Sequence, residues 1–148
     1  MRISAKGRYA FAALIEIARC TNAGEIISVI SISEKLGISK IFLEQTASAL
    51  KKGEIIQSIK GTKGGYQLAK PAHSISALDV LSLVENTLLE KADDTVAERS
   101  PGIEAALRDN LLNKLDKAIV ACLSEVTIGE MLEYANEQND GQSYMLHM

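Results

Sequence analysis

The 148-residue chain has no tryptophan, and phenylalanine and tyrosine make up only 4% of it. Its core must therefore be built from Ile, Leu, Val and Ala, which favours packed helices. No run of about 18 apolar residues occurs, which argues against a transmembrane helix. The basic N-terminus leads into no apolar stretch with a small-residue cleavage site, so we expect no signal peptide and a cytoplasmic protein.

Cysteine and histidine are equally scarce. Cys20 and Cys122 are the only cysteines, and their wide separation excludes a disulfide framework or a zinc pattern. Each lies in a helical apolar pattern, which favours a small buried hydrophobe over the alternative of a redox role. His73 and His147 have no second ligand at metal spacing, so we expect no metal site. No catalytic constellation is visible, and we predict that the chain is not an enzyme.

The charge is divided unevenly along the chain. Residues 1–70 hold eleven Lys and Arg against five Asp and Glu, a balance of +6, whereas residues 71–148 hold five against fourteen, a balance of −9. Such asymmetry indicates a basic half that faces a polyanion and an acidic half that faces solvent or a protein partner.

The first seventy residues carry three helical patterns separated by short turns. Apolar residues recur at steps of three or four from Arg8 to Arg19, which predicts a first helix, and Ser4 before it is the predicted N-cap. A second helix is predicted from Val29 to Lys35 and ended by Gly37, and a third runs from Lys40 to Lys52. Two helices joined by a short glycine-containing turn form a helix-turn-helix.

A β-hairpin is predicted directly after these helices. The β-branched run Ile55–Ile59 and the run Tyr66–Ala69 flank the glycine-rich basic segment Lys60–Gly65. A strand, a basic tip and a second strand after a helix-turn-helix form the wing of a winged helix.

The sequence pattern of residues 71–148 predicts a long helix. Ser76 and Asp79 form a capping box, and the polar segment from Glu90 to Ser100 predicts a mobile loop. From Pro101 onward, apolar residues recur over roughly 22 residues, or about 33 Å, which is longer than a small domain can cover. We therefore predict a two-fold dimer through Leu107, Leu111, Leu115, Ile119 and Cys122. Packing of this helix against its own domain is the alternative.

These patterns together predict a mainly α-helical protein with a small β-hairpin. We expect a winged helix-turn-helix at residues 1–75 and dimerisation or regulatory helices at 76–135. The last of these helices is predicted to be short, ending at Tyr134, and residues 136–148 are predicted to be a frayed tail.

The predicted fold and its basic charge point to double-stranded DNA as the partner. In a helix-turn-helix, the start of the second helix enters the major groove. There Gln45 can pair with adenine, Glu44 can accept from cytosine, and Lys40 can reach guanine or phosphate. The predicted contacts are Ser39, Lys40, Ile41, Glu44 and Gln45 in this helix, Lys60, Thr62, Lys63, Gly64 and Gly65 in the wing, and Ser4, Lys6, Arg8 and Tyr9 at the first helix.

Three segments resemble the Rrf2 family of bacterial winged-helix transcriptional regulators. They are MRISAKGRYA at 1–10, GIS with FLEQ within 37–45, and IKGTKGGYQLA at 59–69. The resemblance is strong over residues 1–89, whereas residues 101–134 match only in their helix pattern. It implies a homodimer that binds near-palindromic operators and is expected to be a repressor, with its long helices crossed at the dimer interface.

The departures from the family pattern are informative. The resemblance implies three cysteines in the loop before the dimer helix of iron–sulfur members, but Glu90–Ser100 contains none. We therefore expect a member without the cluster and without any other cofactor. Where the family has an arginine before the wing glycine, this chain has Lys60. Where the family has Ala-Gly after the second helix of the helix-turn-helix, this chain has Gly53-Glu54, which predicts that the C-cap of this helix is shifted by one residue.

Two questions stay open at this level. The chain could instead be a winged-helix protein-interaction module that docks through its acidic half and binds no operator. The input signal could be a small ligand between the dimer helix and the winged helix, a partner protein, or oxidation of Cys20 or Cys122.

Overall fold

The computed structural model describes residues 3–85 and 87–146, with side chains as far as residue 141. The helices are α1 (Ala5–Asn22), α2 (Val29–Leu36), α3 (Lys40–Lys52), α4 (Ala77–Val84), α5 (Pro101–Leu107), α6 (Asn113–Glu125) and α7 (Ile128–Leu146). Strands β1 (Ile56–Ile59) and β2 (Gly65–Leu68) follow α3, and Ala72–Ser74 form one 3-10 turn. The prediction of a mainly α-helical fold with one hairpin is confirmed.

Serine residues begin the three helices of the winged helix. The hydroxyl oxygens of Ser4, Ser28 and Ser39 accept hydrogen bonds from the amides of Gly7, Ser31 and Phe42. Each satisfies an amide that the first helical turn leaves unpaired. The inner faces then meet in one apolar core, whose largest buried members include Leu14, Ile32, Leu50, Ile55 and Ile75.

The turn between α2 and α3 is built as the sequence predicts. Gly37 ends α2 in the left-handed region at φ 67°, which glycine adopts without steric cost. The Ser33 hydroxyl donates to the carbonyl oxygen of Ile38 at 2.7 Å and closes the turn. α3 therefore leaves the turn in a fixed direction.

The end of α3 differs from the expected shifted cap. Gly53 has an ordinary φ of −81°, and the left-handed residue is Glu54, at φ 59°. A Cβ on Gly53 would collide with the Leu83 side chain of α4. Glycine at 53 thus permits close packing of α3 on α4, and Glu54 adopts the conformation that glycine would favour.

The hairpin is antiparallel and tied to the rest of the domain. Ile56 pairs with Leu68 and Ile59 with Gly65. Ile27 and Tyr66 exchange two backbone hydrogen bonds of 3.3 and 2.8 Å, which adds a one-residue bridge beside β2. This bridge fixes the wing against the segment that precedes α2.

The long helix is continuous from Pro101 to Glu125 but contains one wider turn. Residues Arg108–Leu112 form a π-helical turn between α5 and α6. On an ideal α-helix, two residues four positions apart differ in direction around the helix axis by about 40°. A π-helical turn has more residues per turn and reduces this difference. Leu107, Leu111 and Leu115 therefore stay closer to one face.

The C-terminal prediction is wrong for the described residues. α7 does not end at Tyr134, and the predicted frayed tail is helical as far as Leu146; His147 and Met148 lie outside the described residues. Ile128 and Leu132 are buried in the core, and α7 packs on α1. The segment after Tyr134 lacks an apolar period, but a packed first turn removes the cost of helix nucleation.

No helix in the described part of the chain is long and apolar enough to span a bilayer.

Candidate nucleic-acid interface

Helix α3 is the second helix of the helix-turn-helix, its recognition helix, and has a buried face and an exposed face. Its inward residues are Leu43, Thr46, Ala47 and Leu50. The predicted contact residues Ser39, Lys40, Ile41, Glu44 and Gln45 are all exposed. The helix is therefore held by one face and offers the other, with its free N-terminal end, to a partner.

The wing carries its cations at an exposed tip. Lys60, Gly61, Thr62 and Lys63 are exposed, whereas Gly64 and Gly65 are half-buried. Gly61 lies at φ 131°, and its carbonyl oxygen accepts the amide of Gly64 at 3.0 Å. The tip is a turn in which three glycines are interspersed with exposed Lys and Thr side chains, which suits entry into a minor groove or contact along phosphates.

The start of α1 lies beside the recognition helix. The rings of Tyr9 and Phe42 meet edge to face, with their centroids 5.5 Å apart, a favourable aromatic arrangement. Lys6, Arg8 and Tyr9 are exposed. The structure thus brings the first turns of α1 next to the first turn of α3.

Ser4, one of the predicted DNA contacts, is hydrogen-bonded within the fold. Its amide donates to Oε1 of Glu85 at 3.1 Å, and its hydroxyl also donates to that oxygen. A Cβ on Gly7 would lie 2.6 Å from the same oxygen, so glycine makes room for the carboxylate. Glu85 could not be predicted as a partner of Ser4 from the sequence, because the two residues lie 81 positions apart.

A buried carboxylate joins α1 to α2. Glu16 pairs with Arg19 and, at 2.7 Å, with Nζ of Lys35. Burial acts to raise the pKa of Glu16, but the hydrogen bonds from Lys35 and Arg19 outweigh it and hold the pKa below its usual value. The pair Glu16–Arg19 is visible in the sequence as an i, i+3 pair, whereas Lys35 is brought in by the fold.

The two cysteines occupy unlike environments. Cys20 is buried beside Glu16, and burial together with that negative charge raises the pKa of its thiol. Cys122 is exposed on α6. A raised pKa lowers the thiolate fraction and burial restricts access, so we expect Cys20 to react slowly with thiol reagents.

The predicted mobile loop is anchored by a residue that sequence reasoning missed. The Glu104 carboxylate accepts the amide of Val96 at 2.8 Å and that of Thr95 at 3.1 Å. Arg108, one turn further along, donates to Glu104 at 3.4 Å and to Asp94 at 3.1 Å. We call the loop at Glu90–Ser100 the connector, and these contacts the connector clasp. In the sequence, only the i, i+4 pair of Glu104 and Arg108 indicates the clasp.

The fold and its exposed basic elements define a winged-helix DNA-binding protein. A family model described as an iron-dependent transcriptional regulator, Rrf2, matches residues 3–134. The chain belongs to the Rrf2 family of transcriptional regulators. It is similar to the HTH-type transcriptional regulator IscR of Escherichia coli O1:K1, with 35% identity over 135 residues that cover 89% of this chain and 80% of the relative.

Solved structures agree with this family. The structure of T. potens IscR has 29% identity and a TM-score of 0.72, covering 93% of this chain and 90% of that one. CymR, the global cysteine regulator of B. subtilis, has 26% identity and a TM-score of 0.74, covering 90% and 98%. The predicted winged helix followed by a long helix is therefore confirmed.

The residues that the structure describes do not assemble a protein-held iron centre. No group of three or more His, Cys, Asp or Glu within residues 3–85 and 87–141 could hold a metal ion. The carboxylate of Glu104, at the start of α5, is already engaged by two amides and Arg108. Cys20 is buried in α1 and Cys122 lies on α6, so neither supplies a thiolate to the connector.

Gly65→Ala is expected to destabilise the fold and disable the wing. The new Cβ would fall onto the carbonyl group of Ile27, and backbone cannot move aside as a flexible side chain can. We expect a loss of about 2–3 kcal/mol in the free energy of unfolding, measured by urea denaturation. Gly102→Ala is the control, because nothing lies within 4 Å of its Cβ; equal stability of both variants contradicts the tight contact.

Glu104→Gln is expected to loosen the connector clasp. The amide side chain keeps one acceptor oxygen but loses the charge that Arg108 pairs with. Hydrogen exchange at the amides of Thr95 and Val96 should become at least about tenfold faster, while exchange in the core of α1 stays unchanged. Unchanged exchange at these two amides would show that the clasp does not hold the connector.

The same clasp is expected to respond to acid. Hydrogen bonds from Val96 and Thr95 lower the pKa of Glu104. A carboxylate with a lowered folded-state pKa stabilises the fold above its unfolded value of about 4.3, and this stabilisation is lost as the pH falls through the folded-state pKa. The protection of the Thr95 and Val96 amides against hydrogen exchange should therefore decline below about pH 4 in the wild type. In Glu104→Gln it should change little with pH.

Proposed function

We propose that this chain is a sequence-specific transcriptional repressor that binds near-palindromic operators as a homodimer. The observation that carries the proposal is the exposed polar face of α3, with the exposed wing lysines after it in the same domain. On DNA, α3 lies in the major groove, the wing reaches the minor groove, and Lys6, Arg8 and Tyr9 contact phosphates. Repression is the expected outcome where the operator overlaps a promoter, because a dimer seated there excludes other proteins from that DNA.

The proposed dimer forms through the long helix. Ile103, Leu111 and Leu115 are 58%, 56% and 52% exposed in the single chain. A second copy of the same helix covers them by a two-fold axis, with Leu107, Ile119 and Cys122 in the same contact. Two winged helices then present two recognition helices to one face of the DNA, which matches a near-palindromic site.

We infer that the regulator works without an iron–sulfur cluster and without catalysis. The absence of cysteine from Glu90–Ser100 supports the first point. Because DNA is the proposed partner, we place the protein in the cytoplasm. Anaerobic purification with iron and sulfide should give a colourless protein; a stable brown chromophore that absorbs near roughly 400 nm would contradict the proposal.

Selection of bound fragments from the source genome tests the operator proposal. We expect enrichment of a few fragments that share a near-palindromic sequence, and lower transcription of the adjacent genes when the protein is present. Gln45→Ala should relax the preference at one position of each half-site, by about 1–3 kcal/mol. No enrichment over random fragments, with unchanged cellular function of Gln45→Ala and Lys63→Ala, would favour the protein-interaction module.

A further inference from the structure

Ile41 is an apolar side chain that the fold does not use. Among the large hydrophobic side chains that the structure describes, it is the most exposed, at 70%. It lies in the first turn of α3, whose inward positions are already filled by Leu43, Ala47 and Leu50. A β-branched residue in an exposed helical turn is a weaker helix former than alanine or lysine, so neither packing nor local propensity accounts for isoleucine here.

The surroundings of Ile41 are polar and point toward the proposed DNA partner. Lys40, Glu44 and Gln45 beside it are all exposed. Ile41 and Gln45 are four positions apart and therefore neighbours on the same helix face. Ile41 thus forms a single apolar point on a surface otherwise equipped for hydrogen bonds and phosphate contact.

We propose that Ile41 is a specificity-determining residue that packs against the 5-methyl group of a thymine in the major groove. This inference rests on the proposed function, which seats α3 in that groove. The thymine methyl is the apolar group that the unmodified major groove offers, and it distinguishes thymine from every other base. Isoleucine has few rotamers to lose when it packs, because its β-branch restricts χ1.

The spacing to Gln45 limits where this thymine lies. Four residues of α-helix rise about 6 Å, and successive base pairs are about 3.4 Å apart. The thymine contacted by Ile41 therefore lies within about two base pairs of the adenine paired with Gln45. The two-fold axis of the dimer repeats the arrangement in the other half-site.

Replacement of single thymines by deoxyuridine tests the contact, because it removes only the methyl group. Each thymine of the selected operator is replaced in turn, together with its symmetry mate, and the Kd of the wild-type protein is measured by fluorescence anisotropy. We expect one symmetry-related pair to weaken binding by about fourfold per half-site, or about fifteenfold in total. Other thymines that the protein does not touch should show no change.

Substitution of Ile41 assigns the effect to its side chain. Ile41→Ala should bind the thymine and deoxyuridine operators equally, whereas Gln45→Ala should retain the difference between them. Because Ile41 is exposed, Ile41→Ala should fold normally, which circular dichroism checks. The wild-type measurement stands without the variant.

Two results overturn the inference while leaving the proposed function intact. Tight, selective wild-type binding with no effect at any deoxyuridine shows that no thymine methyl is read. Persistence of the deoxyuridine effect in Ile41→Ala assigns the methyl contact to another residue. If the wild type shows no sequence preference at all, the proposed function fails together with the inference.

Discussion

Leu115→Glu is expected to convert the protein to a monomer. Both copies of the substitution enter a symmetric interface, which loses the burial of two half-exposed leucines, about 1 kcal/mol each. Two carboxylates must also lose water there, which costs a few kcal/mol more. The Kd for dimerisation should therefore rise by at least roughly a thousandfold, as sedimentation equilibrium measures. Operator affinity should fall with it, because one winged helix reads one half-site.

Asn113→Glu is the matched control for this substitution. It adds the same charge at an exposed position of α6, two residues away and thus on a different side of the helix. Thiol labelling gives a second measurement: Cys122 is exposed on α6 and should react slowly in the dimer and quickly in Leu115→Glu. Buried Cys20 should react slowly in both. A Leu115→Glu protein that is dimeric would contradict the proposed interface.

Replacing Lys60 and Lys63 together by alanine is expected to weaken DNA binding with little loss of sequence preference. A dimer loses four cations, and each cation that neutralises a phosphate contributes about 0.9 to the slope of log K against log salt. The slope should fall by up to about 3.6, and the affinity near 0.1 M salt should fall by roughly 100- to 1,000-fold. Titrations at several salt concentrations measure both quantities.

Lys114→Ala with Lys117→Ala removes the same charge from α6. This pair should leave the salt slope unchanged, because all the proposed DNA contacts lie in residues 1–70 and none lies on α6. An equal decrease in slope for both pairs would show that net charge acts on binding, rather than the position of the wing.

The winged helix was predictable because its determinants are local. Ser28 and Ser39 cap the helices that follow them, and Gly37 ends α2. The glycines of the wing stand between two short β-branched or aromatic runs. Each signal acts within a few residues, so the sequence pattern carries it without knowledge of the rest of the fold.

The features that were missed depend on partners brought together by folding. Glu85 accepts hydrogen bonds from Ser4 across 81 positions, and Glu104 accepts the amides of Thr95 and Val96. Neither contact follows the periodicity of a helix or a strand, so no sequence pattern predicts it. The extension of α7 past Tyr134 follows from the packing of Ile128 and Leu132 on the core. Propensity alone gives no sign of such tertiary support.

A hydroxyl-radical footprint on a selected operator tests most directly whether the two recognition helices of a dimer bind one DNA duplex. We expect two protected patches related by a two-fold axis, their centres about 10 base pairs, or a whole multiple of one helical turn, apart on one face of the DNA. A single patch, or protection without symmetry at saturating protein, would contradict binding as a two-fold dimer.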